Sequence, residues 1–337
     1  MMEYPKFKVG VRCFTYDQSK YITDTMDGFV MQQTNFPFVC MIVDDASTDR
    51  EQEVIKAYLN DKFDLSSDTS SYKKETDYAH IVFAQHKTNR NCYFAVLFLK
   101  ENHYRSNKPK VQYLSEWRKD ILYEAYCEGD DYWIDAHKLQ KQVDILDTHP
   151  KVMMVHTGFQ PVDINSKRLD IPYLEEYMER SECGNVFMKL MRGNYPLTLT
   201  SIFRREVLDS DLCNKCQYKY DYTYFLSAAS LGEVYYIPDR TGCYRINPEG
   251  LMHTSKRTVD IALGRIRIYF TKCLLDGKIA MASKKDIKIC AKMILGGIFS
   301  LHPNKDYCRF VLSNPAILKY LPYSIIHKIS KMICYKS

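Results

Sequence analysis

Two rhythms of apolar and polar positions alternate along the first part of the chain. Phe7 to Tyr16 (FKVGVRCFTY) is a β-rich run that ends at the turn-forming Asp17. The segment after it places Ile22, Met26, Phe29 and Gln33 on one mostly apolar helical face. Phe38 to Val43 is continuously apolar, as expected for a strand buried on both faces. It runs into DDASTD, where Ser47, Thr48 and Asp49 offer N-cap chemistry. A helix over 51–59 is then expected, with Val54, Ile55, Tyr58 and Leu59 inward. Residues 61–78 are polar and serine-rich, hence a loop, and Ala79 to Gln85 form the next strand. Such a β-α-β-α-β order predicts a parallel twisted sheet that binds ligands at the carboxyl ends of its strands.

The rest of the body continues in kind. After a polar insertion over 102–120 and the motif YCEGDDYW, Asp135 can cap a helix carrying Leu139, Val143 and Leu146 inward, ending by Pro150. Strands are expected over 151–157 and 199–206, the latter carrying Thr198 and Thr200 at its entry as candidate acceptor-side residues. A helix over 220–232 stops at Gly232, and EVYYIP and TGCYRIN close the body as two short strands. No internal repeat appears.

Composition narrows the class. The chain has 337 residues, 46% of them hydrophobic and 26% charged, which excludes global disorder and allows a large core. The opening residues lack the apolar core of a secretory signal, and no apolar run reaches the length of a membrane span. Together these point to a cytoplasmic protein. The 12 cysteines are scattered, so free thiols are expected, and the lone CNKC at 213–216 has no second pair to complete a zinc site.

Charge is distributed unevenly. From Lys256 onward there are 16 basic and 4 acidic residues, a net of +12. The preceding 255 residues hold 31 basic and 37 acidic ones. A body over 1–255 and a basic helical region over 256–337 are therefore expected to have different partners. The segment SIIHKISKMICYK (324–336) puts isoleucines and Met332 on one face and lysines on the other. That pattern fits a helix lying on the inner face of the cell membrane, or one packed on the body. Nucleic acid is excluded as a partner because no binding motif accompanies the charge.

Two acidic clusters carry the chemistry. Asp44 and Asp45 follow one expected strand, and Glu128, Asp130 and Asp131 follow another. Strands of this sheet class deliver such residues to one edge. Convergent carboxylates there favour Mn²⁺ or Mg²⁺, held by one or two of them plus ligand phosphates. Gly10 stands alone near the first strand, so neither glycine-rich phosphate fingerprint is present.

With these residues in view, VGVRCFTYDQSKYI, MIVDDASTD, CEGDDYW, KLQKQVDIL and YDYTYFLSAASLGEVYYIPDRTGCYRI resemble family-2 glycosyltransferases of the GT-A fold, in the family's order. The likeness spans roughly Lys6 to His253 and is strongest to bacterial members that build surface polysaccharides. It implies a Rossmann-like, mostly parallel central sheet flanked by helices, with a C-terminal helical extension. It also implies a nucleotide-sugar donor, with a UDP-sugar as the first expectation, and a glycan or lipid-linked acceptor. Thr15 and Tyr16 would meet the base, with Asp45 and its neighbour Asp44. Asp130 and Asp131 would place ribose and metal, and His253 is a further candidate ligand. Asp221, opening the last large helix, would be the general base of an inverting single displacement. The chain departs from the family in two places: HKTNRNCYF has no glycine, and Tyr220 stands where many members have one.

Other readings remain open at this level. A sugar-phosphate nucleotidylyltransferase would share sheet and metal but should carry a glycine-rich basic loop where FTYDQSK stands. A non-catalytic nucleotide-sugar or glycan-binding module would keep the acidic motifs and lose Asp221.

Overall fold

The computed structural model describes residues 5–66, 71–247, 256–280, 283–298, 305–314 and 317. By compactness the chain forms two units. The first comprises Met1–Gly184, Tyr195–Glu206 and Val234–Asn247; the second comprises Asn185–Asn194, Val207–Glu233 and Pro248–Ser337.

The first unit is built on one mixed sheet. Its strands are β1 (Val9–Thr15), β2 (Phe38–Asp44), β3 (Phe63–Asp64), β4 (Tyr72–Glu75), β5 (Ala79–His86), β6 (Cys92–Leu99), β7 (Tyr123–Tyr126), β8 (Tyr132–Trp133), β9 (Val152–Val162), β10 (Ile202–Arg204) and β11 (Glu233–Arg245). They run in the order β3-β5-β6-β2-β1-β7-β10-β9-β11-β8, with β4 paired to β5. The central strands β6-β2-β1-β7 pair in parallel. Every residue of β2 and β6 is buried, which explains their unbroken apolar runs. Helices Ile22–Val30, Glu51–Lys62 and Lys138–Thr148 bury Phe29, Ile55, Leu139 and Val143 in the core with Phe94 and Val96 of β6.

Several expected elements differ in detail. The strand expected over 79–85 exists, but it runs antiparallel to β6, a strand not anticipated as one. The loop expected over 61–78 contains β3 and β4. Thr198 and Thr200 lie in a short 3₁₀ turn, because a turn at 198–200 precedes β10 rather than extending it. The two short strands expected near the end of the body are one strand, β11.

The second unit is helical in its described residues. Helix Asp221–Leu231 packs on Phe187–Arg192, where the Tyr222 hydroxyl donates to the Leu190 carbonyl at 2.7 Å. Helices Lys256–Leu275, Lys284–Ile298 and Lys305–Ser313 complete it. No helix among the described residues is long and apolar enough to cross a membrane. The amphipathic segment 324–336 lies outside the described residues.

Candidate active site

Parallel register aligns the ends of the central strands. Thr15 pairs with Asp44 and Asp44 with Phe98, so β1, β2 and β6 finish at one edge. Past β7 the chain keeps following β1: Cys127 N–H donates to the Arg12 carbonyl (3.1 Å) and Gly129 N–H to that of Phe14 (3.3 Å). This carries Glu128, Asp130 and Asp131 to the same edge as Thr15. A side chain at Gly129 would lie 2.6 Å from Thr15 Cβ, so only glycine lets the acidic loop close onto β1. The Thr25 hydroxyl holds the loop from the other side, 2.6 Å from the Asp131 carbonyl.

The loop's carboxyls are held in the wrong medium for their charge. Burial pushes the Asp130 carboxyl above the usual range, against the opposing pull of the Arg245 guanidinium. Asp131 is pushed well up, first by burial and then by the charges of Asp130 and Glu128. The counterweight is Arg245, a residue to which the sequence had assigned no role. It sits on β11 next to the pairs Gly242–Trp133 and Cys243–Tyr132, across from the acidic loop. Its backbone N–H donates to Asp131 Oδ1 (2.8 Å), its Nε to the Asp130 carbonyl (2.8 Å) and its Nη2 to Asp24 (2.8 Å). The guanidinium also lies over the Tyr21 ring at 4.6 Å. A buried arginine amid such acids is the expected response to their charge. The one signal that pointed to it was its place in TGCYRIN, which periodicity alone does not weight.

Asp44 and Asp45 have a different setting, though both are fully buried. Asp45 accepts from His103 N–H (2.7 Å) and Tyr104 N–H (3.0 Å) and pairs with Lys110 at 2.8 Å. Its carboxylate thus anchors the loop after β6. Asp44 accepts from Gln52 (2.6 Å) on Oδ2, while its buried Oδ1 has no hydrogen-bond partner. Burial raises its carboxyl, with Ser47 and Gln52 pulling the other way.

Tyr16, beyond Thr15, is half-buried and accepts from the Arg105 guanidinium at 3.2 Å. Asp17 and Ala46, the neighbours of Tyr16 and Asp45 in sequence, have positive φ, as do Arg50, Asn107 and Ser166 among the described non-glycine residues. Each costs about 1 kcal/mol or more, and such strain gathers at functional sites. Helix Glu51–Lys62 has Arg50 at its N-cap with φ 73°, so the capping expected from Ser47 and Thr48 is absent; Asp49 instead accepts from Glu51 N–H at 3.1 Å.

Asp221 belongs to the second unit. Its Oδ1 accepts the Tyr222 N–H (2.6 Å) at the helix start, and burial raises its carboxyl against that bond and one with Asn194. His253 lies outside the described residues.

A divalent cation fits the acidic loop on its donor chemistry. Hard oxygen donors stand there with charge that the protein's own partners leave incompletely offset. No group of three or more His, Cys, Asp or Glu able to hold a metal occurs among the described residues. Mg²⁺-type ions bound with phosphate ligands need only one or two carboxylates.

Structural comparison decides the architecture. Staphylococcus aureus TarS, residues 1–349, superposes with TM-scores of 0.55 and 0.56 in its complexes with UDP and UDP-GlcNAc. The match covers 95% of this chain and 82–83% of that one at 15% identity. The fold is GT-A. In sequence, an uncharacterized protein of Mycobacterium bovis and uncharacterized proteins of two Mycobacterium tuberculosis strains are each 27% identical over 254 residues. The aligned region is 73% of this chain and 61% of theirs, so the chain spans about three fifths of the length of these curated relatives. No family model matches the sequence. The GT-A architecture expected from the motifs is the one the chain adopts, with parallel strands at the sheet centre.

Proposed function

We propose that the chain is a glycosyltransferase that moves a sugar from a nucleotide-sugar donor to a glycan or lipid-linked acceptor by inverting displacement. The observation that carries this reading is the Asp130–Asp131 loop, closed onto Thr15 at the carboxyl edge of a GT-A sheet with its charge only partly balanced. The complexes of TarS with UDP and UDP-GlcNAc support a UDP-sugar as donor. Asp130 and Asp131 would hold Mn²⁺ or Mg²⁺, which when bound supplies positive charge for a diphosphate leaving group.

The chain's own residues do the rest. Thr15 and Tyr16 bind the base, and Asp45 fixes the loop that bears His103 and Tyr104 beside them. Asp221 takes the proton of the acceptor hydroxyl as that oxygen attacks the anomeric carbon and the bond to the diphosphate breaks. Its raised carboxyl brings its basicity nearer neutral pH, as a general base needs. The expected basic region over 256–337 would serve acceptor delivery at a membrane surface, and removing 320–337 should then release the protein from anionic vesicles.

The direct test is a pair of variants assayed for donor hydrolysis and transfer with Mn²⁺. Asp131→Ala should lose both by roughly a hundredfold or more. Asp221→Asn should keep nucleoside diphosphate affinity and lose transfer by about 10²–10⁴-fold. Full transfer by either variant removes that residue from the mechanism.

A further inference from the structure

One buried carboxyl near the site has no part in the chemistry above. Glu51 is the first residue of its helix, a position where acidic side chains ordinarily face solvent and favour the helix dipole. Here the residue is fully buried and its side chain turns back toward β1. Oε1 accepts from the Thr15 hydroxyl, and Oε2 accepts from Gln18 N–H at 2.9 Å and the Ser47 hydroxyl at 2.8 Å. Ser47 Oγ in turn accepts from Asp17 N–H (2.9 Å). One carboxyl therefore ties the turn after β1 to the loop after β2.

The two residues it holds are those on which the acidic loop rests. Thr15 is the residue that Gly129 closes against, and the Gln18 side chain borders the same glycine, its Oε1 3.1 Å from where a Gly129 Cβ would stand. Accepting three donors at once from three different residues leaves the Glu51 side chain one geometry. Moving it would free Thr15 and Gln18 together.

We propose that Glu51 is a positioning residue that sets the Thr15–Gln18 turn against the Asp130–Asp131 loop, so that nucleoside and diphosphate are gripped in one register. It touches neither donor nor acceptor. The inference rests on the glycosyltransferase reading and specifies how its donor site is held together. The requirement is for a bonding pattern, so an isosteric amide should serve far better than a truncated side chain.

The experiment is calorimetric titration of UDP and of GDP into wild-type protein, Glu51→Ala and Glu51→Gln, each with and without Mn²⁺. Circular dichroism and thermal unfolding verify that each variant is folded. Wild type should bind one of the two nucleotides with an affinity raised by Mn²⁺. Glu51→Ala should bind it roughly tenfold more weakly and lose most of the Mn²⁺ enhancement. Glu51→Gln should recover most of both. Ser47→Ala, which removes one arm of the network and leaves the rest folded, should weaken binding in the same direction and combine non-additively with Glu51→Ala. Equal nucleotide affinity and equal Mn²⁺ enhancement in wild type and a folded Glu51→Ala overturns the inference while leaving the functional reading intact. If Glu51→Ala does not fold, wild-type affinity in Ser47→Ala overturns it. A wild type that binds neither nucleotide removes the functional reading and the inference with it.

Discussion

The two aspartate pairs of the first unit look alike in sequence and are opposites in structure. Asp45 is bonded to two backbone N–H groups and a lysine, and its partner Asp44 is bonded to Gln52. In the other pair, burial and the charge of Asp130 oppose the Asp131 carboxylate, whose Oδ1 accepts from the Arg245 backbone N–H, while the Arg245 guanidinium bonds the Asp130 carbonyl. The pair after β2 spends most of its hydrogen-bonding capacity on the scaffold. The pair after β7 keeps its capacity for something else. A doubled acid is therefore not one kind of site, and the donors that converge on it decide which kind it is.

The comparison breaks most sharply on metal and stability measured together. Asp131→Asn keeps an oxygen to accept the Arg245 N–H and removes a buried charge that burial and two neighbours oppose. Its thermal midpoint in chelator should match or exceed that of wild type, while the upward shift given by Mn²⁺ with UDP should vanish. A midpoint several degrees below wild type would mean that the acidic loop is structural.

Asp45→Ala should do the reverse. It strands Lys110, whose side chain is only 15% exposed, and two backbone N–H groups. Breaking a buried pair from one side costs about 3 kcal/mol. Denaturant unfolding should show a loss of that order, with m unchanged. If stability survives and only nucleotide affinity falls, Asp45 belongs with the functional pair.

How far the sequence carried this picture depends on the range of the interaction. Strands β1 and β2, the helix from Asp221 and the acidic motifs were legible because apolar period and local turn chemistry fix them within a few residues. The antiparallel run of β5 was not, since alternation along a strand says nothing of its partner's direction. Arg245 and Glu51 were missed for a related reason. Arg245 bonds Asp131 across 114 positions and Asp24 across 221. Glu51 carries the composition of an ordinary first helical turn, and only the fold shows that its side chain points inward. Arg50, which precedes Glu51 at the helix N-cap, is left-handed at φ 73°.

The smallest effect follows from Glu51 and sharpens the contrast from a third acid. Burial, reinforced by the charge of Asp44 and opposed by bonds from Thr15, Gln18 and Ser47, pushes its carboxyl up to about 7. The folded state then binds a proton that the unfolded chain has released above its ordinary 4.5. Stability from this group is fully present below that lower value and is lost as pH rises through about 7. Other buried groups titrate oppositely, notably Lys138, whose burial beside Trp133 pulls it down to about 7, so the wild-type profile alone does not isolate Glu51. The difference between Glu51→Gln and wild type does. The amide cannot ionise, so the variant's thermal midpoint should gain on wild type from about pH 5 to about pH 7 and level off above that, without added metal. A difference that stays flat over that range would mean Glu51 is charged throughout, its carboxylate balanced by the donors from Thr15, Gln18 and Ser47.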